Sequence, residues 1–150
     1  LVVCGSGPVA QALVELSARF EFDRTLCLPG PQEVDLPMPD RVVEHFDEHP
    51  IWDSAPFVVV ATQGRGDEAA LRRALMQKAR YIGFVGSRRK FATLSHRLQD
   101  KGVSPEALAS VKAPAGVDIH AITPDEIALS ILAELVQRRR ALQRGEGADG

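Results

Sequence analysis

The sequence predicts an α/β protein, a parallel sheet in three layers with helices on both faces. Three observations carry this. The chain opens on a short apolar run, Leu1-Val2-Val3-Cys4, followed at once by the glycine turn Gly5-Ser6-Gly7-Pro8. Val9, Leu13, Leu16 and Phe20 then recur at helical spacing. Further on, Pro56 to Thr62 contains a continuous β-branched run, as for a strand covered on both faces. From there strand-like and helical stretches alternate, the pattern of a parallel sheet with crossover helices.

Length and composition bound the answer. A chain of 150 residues with 45% apolar content suits one domain with one real core. We expect that domain over residues 1–144, with 145–150 as a flexible tail. A net charge of −2 argues against nucleic acid or an anionic membrane as a broad partner. No apolar run approaches the ~20 residues of a membrane span. No signal-peptide pattern is seen, and the start at Leu1 rather than Met leaves an upstream segment open. Cys4 and Cys27 fall in strand-like runs and read as buried thiols of a cytoplasmic protein, with no histidine beside them to suggest a metal.

The elements follow in order. The first helix is expected from Pro8 to Arg19, with proline suited to the first turn. Arg24 to Leu28 is the second strand. Pro29, Pro31, Pro37 and Pro39 make the next stretch a loop, so the usual crossover helix there is short or lost. Arg41 to Phe46 reads as a third, edge strand, and Trp52 as a seal on the core's edge. Asp67 is the expected N-cap of a helix over Ala69 to Lys78. Arg80 to Val85 is the next strand, and Phe91, Leu94 and Leu98 line a helix that stops at Gly102. Ser104-Pro105 starts a short helix, and Ala113 to Ile119 reads as a compact loop. Thr123-Pro124-Asp125-Glu126 is a capping box. It opens a helix striped by Ile127, Ile131, Leu132, Leu135 and Val136, a stripe suited to the core or to a dimer interface. Arg138, Arg139 and Arg140 would complement that helix's carboxyl end as a solvated basic face.

Chemistry concentrates at the carboxyl ends of the strands, where open α/β sheets bind ligands. Gly5 to Ala10 fits G-x-G-x-x-A between a strand and a helix, the setting of a Rossmann dinucleotide loop. Gly5 would allow the tight turn, Gly7 the close approach of a pyrophosphate, and Ala10 the packing of helix on strand. Two more loops qualify, Thr62 to Asp67 and Gly86 to Lys90. The candidate cofactor-binding residues are therefore Gly5, Ser6, Gly7, Pro8, Val9, Thr62, Gln63, Arg65, Gly86, Ser87, Arg88 and Arg89, with Lys90 adding charge. Guanidinium groups and glycine turns suit phosphate. Cations at a helix amino end oppose its dipole unless an anion offsets them. These loops point to a phosphorylated or dinucleotide-like ligand. The second strand ends Leu28-Pro29-Gly30 without the acid that would hold a ribose, and Glu33 and Asp35 lie beyond the break, which counts against NAD(P). No acid–base pair presents itself, and of the histidines only His120 falls near the candidate site.

The stretch Tyr81-Ile82-Gly83-Phe84-Val85-Gly86-Ser87-Arg88-Arg89-Lys90 resembles the XdhC/CoxI family, accessory proteins of molybdenum hydroxylases such as xanthine and carbon monoxide dehydrogenases. The resemblance continues in Pro114 to Ile119, in Thr123 to Ala128, in Ser130 to Glu134, in Gly5 to Ala10 and in Asp67 to Leu71, which covers most of the chain in order. It implies a Rossmann-like domain that in the family lies carboxyl-terminal to a smaller cysteine-bearing domain. It also implies a role in maturation or insertion of the molybdenum cofactor, as molybdopterin or its cytosine dinucleotide form. Such a protein is an accessory factor rather than an enzyme, with the hydroxylase apo-enzyme, or a second copy of itself, as partner. Asp118, in the Pro114 to Ile119 motif, joins the candidate cofactor-binding residues. Family members usually carry histidine where Pro8 stands, and Thr-His-Asp-His where Thr62-Gln63-Gly64-Arg65 stands. Sulfur chemistry is therefore not expected of this chain. An NAD(P)-dependent oxidoreductase, or a partner-binding protein with a vestigial nucleotide loop, are the alternatives.

Overall fold

The computed structural model describes residues 1–33, 39–47, 49–54, 57–77 and 79–148. Five short strands, β1 (Val2–Cys4), β2 (Thr25–Cys27), β3 (Arg41–Val43), β4 (Phe57–Val60) and β5 (Tyr81–Phe84), form an all-parallel sheet in the order β3-β2-β1-β4-β5. Side chains alternate across it. Val2 and Cys4 enter one core with Val58, Val60 and Phe84, while Val3 enters the other with Leu26 and Val59. β1, β2, β4 and β5 are buried throughout, while β3 is exposed at two of its three residues, the edge position its sequence suggests. Cys4 and Cys27 are register partners on neighbouring strands, both free and fully buried.

Helices cover both faces, giving the three-layer Rossmann-like architecture. On one side α1 (Pro8–Ser17) packs against α5 (Pro124–Ala148), through Leu13 and Val14 against Ile131 and Leu135. The apolar stripe of α5 is thus spent on this chain's own core. On the other side lie α2 (Asp67–Met76), α3 (Arg88–Asp100) and α4 (Pro105–Ala109), with Leu71, Leu98 and Leu108 inward. Trp52, in a short 3-10 helix over Pro50–Ser54, seals the edge of that second core at 1% exposure. No helix links β2 to β3 among the described residues, and Asp35 and Pro37 of that loop lie outside them, as do Pro56 and Lys78. No helix among the described residues is long and apolar enough to cross a membrane.

Three local readings change. Gly66, at φ +90°, is the N-cap of α2 and Asp67 its first residue. The stretch expected as a loop at Ala113 is partly an extension of the sheet. The Phe84 N–H donates to the Lys112 carbonyl at 2.9 Å, the Lys112 N–H to Ile82 at 2.9 Å, and the Ala115 N–H to Phe84 at 2.9 Å. Residues 112–115 thereby run parallel beside β5. The three arginines 138–140 do not sit at a helix end, because α5 runs on past Gly145 to Ala148. Nor are they merely solvated. Arg139 donates to the Phe20 carbonyl at 2.9 Å and lies 4.2 Å over the Phe22 ring, and Arg138 lies 5.6 Å over Tyr81.

The added ladder is anchored by Glu134 on α5, only 4% exposed. Its carboxylate accepts from the Tyr81 hydroxyl and from the Gly116 N–H at 3.0 Å, and pairs with Lys112 Nζ at 3.1 Å. Burial alone would raise the Glu134 pKa. The hydrogen bonds from Tyr81, Gly116 and Lys112 outweigh it and hold the carboxyl below its usual range. Tyr81 is pushed far up, by burial first and by the Glu134 carboxylate second.

Candidate functional site

The chain leaves β1 toward β2 and β3, then returns to place β4 and β5 on the other side of β1. The direction reverses between β1 and β4, and a crevice at such a point is where open α/β sheets bind ligands. The loops after β1, β4 and β5 therefore stand side by side along one rim.

The β1 loop is built for close approach. The Gly5 N–H donates to the Cys27 carbonyl at 2.9 Å, and the Ala61 N–H to Cys4 at 2.8 Å. A Cβ on Gly5 would lie 2.2 Å from the Ala61 carbonyl oxygen, and its φ is +119°, so glycine is required twice over. Gly7 is the N-cap of α1 with no side-chain cap, and Pro8 takes the first position. The first-turn N–H groups of α1 are thus left for solvent or a ligand. Gln11 Nε2 donates to the Ser6 carbonyl at 2.8 Å and holds the loop's shape. The Val9 side chain is buried in the core, so this residue can offer a ligand its backbone alone.

The β4 loop presses on the first. A Cβ on Gly7 would meet Gln63 Oε1 at 2.3 Å, so the exposed Gln63 amide lies over the glycine a pyrophosphate would approach. Thr62 is spent elsewhere. It is buried, and its hydroxyl donates to Asp67, which also accepts from the Gly64 N–H at 3.0 Å. Asp67 Oδ2 lies 3.5 Å from Lys90 Nζ and so ties the β4 loop to the β5 loop. The sequence marked Asp67 only as a cap; its bridging role depends on β4 and β5 being neighbours, which spacing along the chain does not show.

The β5 loop ends in a working cap. Ser87 Oγ accepts from the Lys90 N–H at 3.1 Å, so this hydroxyl is engaged too. Gly86 leaves room for the Phe84 ring, which a Cβ would meet at 2.6 Å. Arg65, Arg88 and Arg89 are exposed and form no ion pair among the described residues. Asp118 is 86% exposed on its side chain, 3.9 Å from His120 Nδ1, and no hydrogen bond or ion pair among the described residues joins it to the three loops. The structure thus brings Gly5, Ser6, Gly7 and Pro8 against Thr62 and Gln63, and ties Ser87 and Lys90 to them through Asp67. Arg65, Arg88 and Arg89 project from the same loops, and Asp118 follows the parallel stretch beside β5 with only His120 as a polar neighbour among the described residues. A cleft of about 900 Å³ runs along α2 and α3; Gly64, Gly66, Asp67 and Lys90 line it, but none of Gly5 to Val9 does.

The family described as the XdhC Rossmann domain matches residues 1–135. This chain belongs to that family. It is 33% identical over 145 residues to Escherichia coli (strain K12) YqeB, described as uncharacterized, covering 91% of this chain and 27% of that protein. It is 27% identical over 151 residues to a Bacillus subtilis (strain 168) protein described as a probable xanthine dehydrogenase subunit, covering 93% of this chain and 43% of that one. A crystal structure described as a xanthine dehydrogenase from Bacillus halodurans superposes with a TM-score of 0.73 at 28% identity, over 93% of this chain and 42% of that one. The XdhC domain here therefore spans less than half the length of each of these relatives.

Proposed function

We propose that this XdhC domain holds a diphosphate-bearing cofactor, the cytosine dinucleotide form of molybdopterin, for insertion into a molybdenum hydroxylase apo-enzyme. The single observation that carries this is the first loop, where a glycine N-cap without a side-chain cap meets the point of sheet reversal. The residues present fit a diphosphate. Gly7 presents no side chain and the first turn of α1 presents free N–H groups, while Arg65, Arg88 and Arg89 are unpaired cations among the described residues. Gln63 must swing outward, which an exposed amide side chain can do. The pterin would supply the metal chemistry. This chain's own residues would bind and orient the diphosphate and keep it from water.

NAD(P) is the weaker occupant, since β2 runs into Leu28-Pro29-Gly30 with no carboxylate at its end among the described residues. Titration calorimetry tests the reading. The cytosine dinucleotide cofactor should release heat that is lost in Gly7→Val, and NADPH should release none. In cells, deleting the gene should leave the hydroxylase expressed but without active cofactor. Full hydroxylase activity in the deletion strain would refute the maturation role, and absence of heat with the cofactor would refute the binding.

A further inference from the structure

The cleft along α2 and α3 adjoins the rim just described, sharing Gly64, Asp67 and Lys90 with it, but it runs away from the β1 loop and its chemistry differs. On α3, Lys90, Leu94 and Arg97 follow one face, Lys101 at the C-cap continues it, and all four line the cleft. That face is about 16 Å long by helical rise. On α2, Arg72, Arg73 and Met76 face the same space. Two of the cations are neutralised within the fold, Lys90 by Asp67 at 3.5 Å and Lys101 by Glu68 at 2.5 Å. These pairs tie the two helices together. Arg72, Arg73 and Arg97 form no ion pair among the described residues. Arg97 and Arg72 also add their fields to that of Lys101 at Glu68, so several cations crowd one carboxylate. Arg73 Nε is buried without a hydrogen-bond partner among the described residues.

The cleft is not polar throughout. Leu94 is nearly buried in its floor, while Met76 is 65% exposed at its far end. An exposed thioether beside an aliphatic floor is adaptable apolar surface, of the kind that accepts helices from partner proteins.

We propose that this cleft docks an acidic, amphipathic helical segment of a partner protein. Charge complementarity selects that occupant, since Arg72, Arg73 and Arg97 outnumber Asp47, the carboxylate of the lining that forms no ion pair among the described residues. The cations are strung along two helices rather than gathered at one point, as a single phosphate would require. An oligophosphate would leave the exposed Met76 without use, whereas a helix with leucines on one face and carboxylates on its flanks would use both the thioether and the arginines. The inference does not rest on the cofactor reading, because Arg72, Arg97 and Met76 belong to none of the three loops.

The test uses the full chain and a fluorescein-labelled peptide of about 18 residues, with leucines at helical spacing and glutamates elsewhere. A control peptide carries lysine for every glutamate. The acidic peptide should bind and the basic one should not, with affinity falling as salt rises above about 0.15 M. Arg72→Glu with Arg97→Glu should weaken binding at least about tenfold. Met76→Glu, a change at an exposed position, should weaken it too and serves if the double variant misfolds. Both variants should bind nucleotide as the parent does, which separates this result from the fate of the cofactor reading. Equal binding of the two peptides, or parental affinity in the Met76 variant, would overturn the proposal. So would displacement of the acidic peptide by stoichiometric pyrophosphate, which would mark a phosphate site instead.

Discussion

Gly5 and Gly7 stand two residues apart and are required for different reasons. At Gly5 the backbone is left-handed, and a Cβ would strike main chain at 2.2 Å. Gly5→Ala should therefore destabilise the fold by about 3 kcal/mol, strain and overpacking together, read as a lower denaturant midpoint. At Gly7 the backbone is extended, with φ −73°, and a Cβ meets only the end of the Gln63 side chain. Gly7→Val should leave the midpoint nearly unchanged and abolish nucleotide binding. A large loss of stability there would mean that Gln63 cannot move. Glu134 gives a pH signature. Its folded pKa lies below the usual 4.5, so its contribution is present above that value and is lost as pH falls through the folded one. Glu134→Gln should cost about 2 kcal/mol at neutral pH, the scale of a charged hydrogen bond, and the gap to the parent should close in acid. A gap that stays constant down to strongly acid pH would rule this out.

At the scale of elements, the most legible feature was the start of α5. Thr123 Oγ1 accepts from the Glu126 N–H at 3.2 Å, and Glu126 Oε1 accepts from the Thr123 and Ile122 N–H groups at 2.9 and 3.0 Å. This is a local motif, so local sequence reveals it. Thr123→Ala should cost about 1 kcal/mol, seen as a lower unfolding midpoint with α5 still helical by circular dichroism. Less legible was the extra ladder at residues 112–115, where Ala113-Pro114-Ala115 carries no alternating pattern. Main-chain bonds to β5 and the buried Glu134 hold it, and the partners lie far apart in sequence. The end of α5 was misjudged for a related reason. Three arginines resemble a helix terminus, yet Arg138 and Arg139 stack on rings from β5 and from the turn before β2. Strand ends in the sequence mark where the three loops lie, while the diversion of the buried Thr62 hydroxyl to Asp67 depends on how the β4 loop folds back on α2.

For the whole molecule, the rim is assembled from loops that lie far apart in the sequence. The β1 loop is fixed through Gly5 to Cys27, the β4 loop packs on it, and Asp67 with Lys90 joins the β5 loop. A ligand seated there binds only when all three loops are in place, that is, only to the folded state. Binding must then stabilise the entire domain by mass action, about 2.7 kcal/mol at a ligand concentration 100 times Kd. For a domain of this size, that is a rise in melting temperature of roughly 5–11 °C by the usual scaling. We expect that rise with the cytosine dinucleotide cofactor, a smaller one with CDP alone, and none with Gly7→Val, whose own melting point should match the parent. Differential scanning calorimetry at several ligand concentrations checks this, since the midpoint must climb with the logarithm of concentration. An unmoved midpoint in the parent at saturating cofactor would mean that the three loops meet only to close the fold.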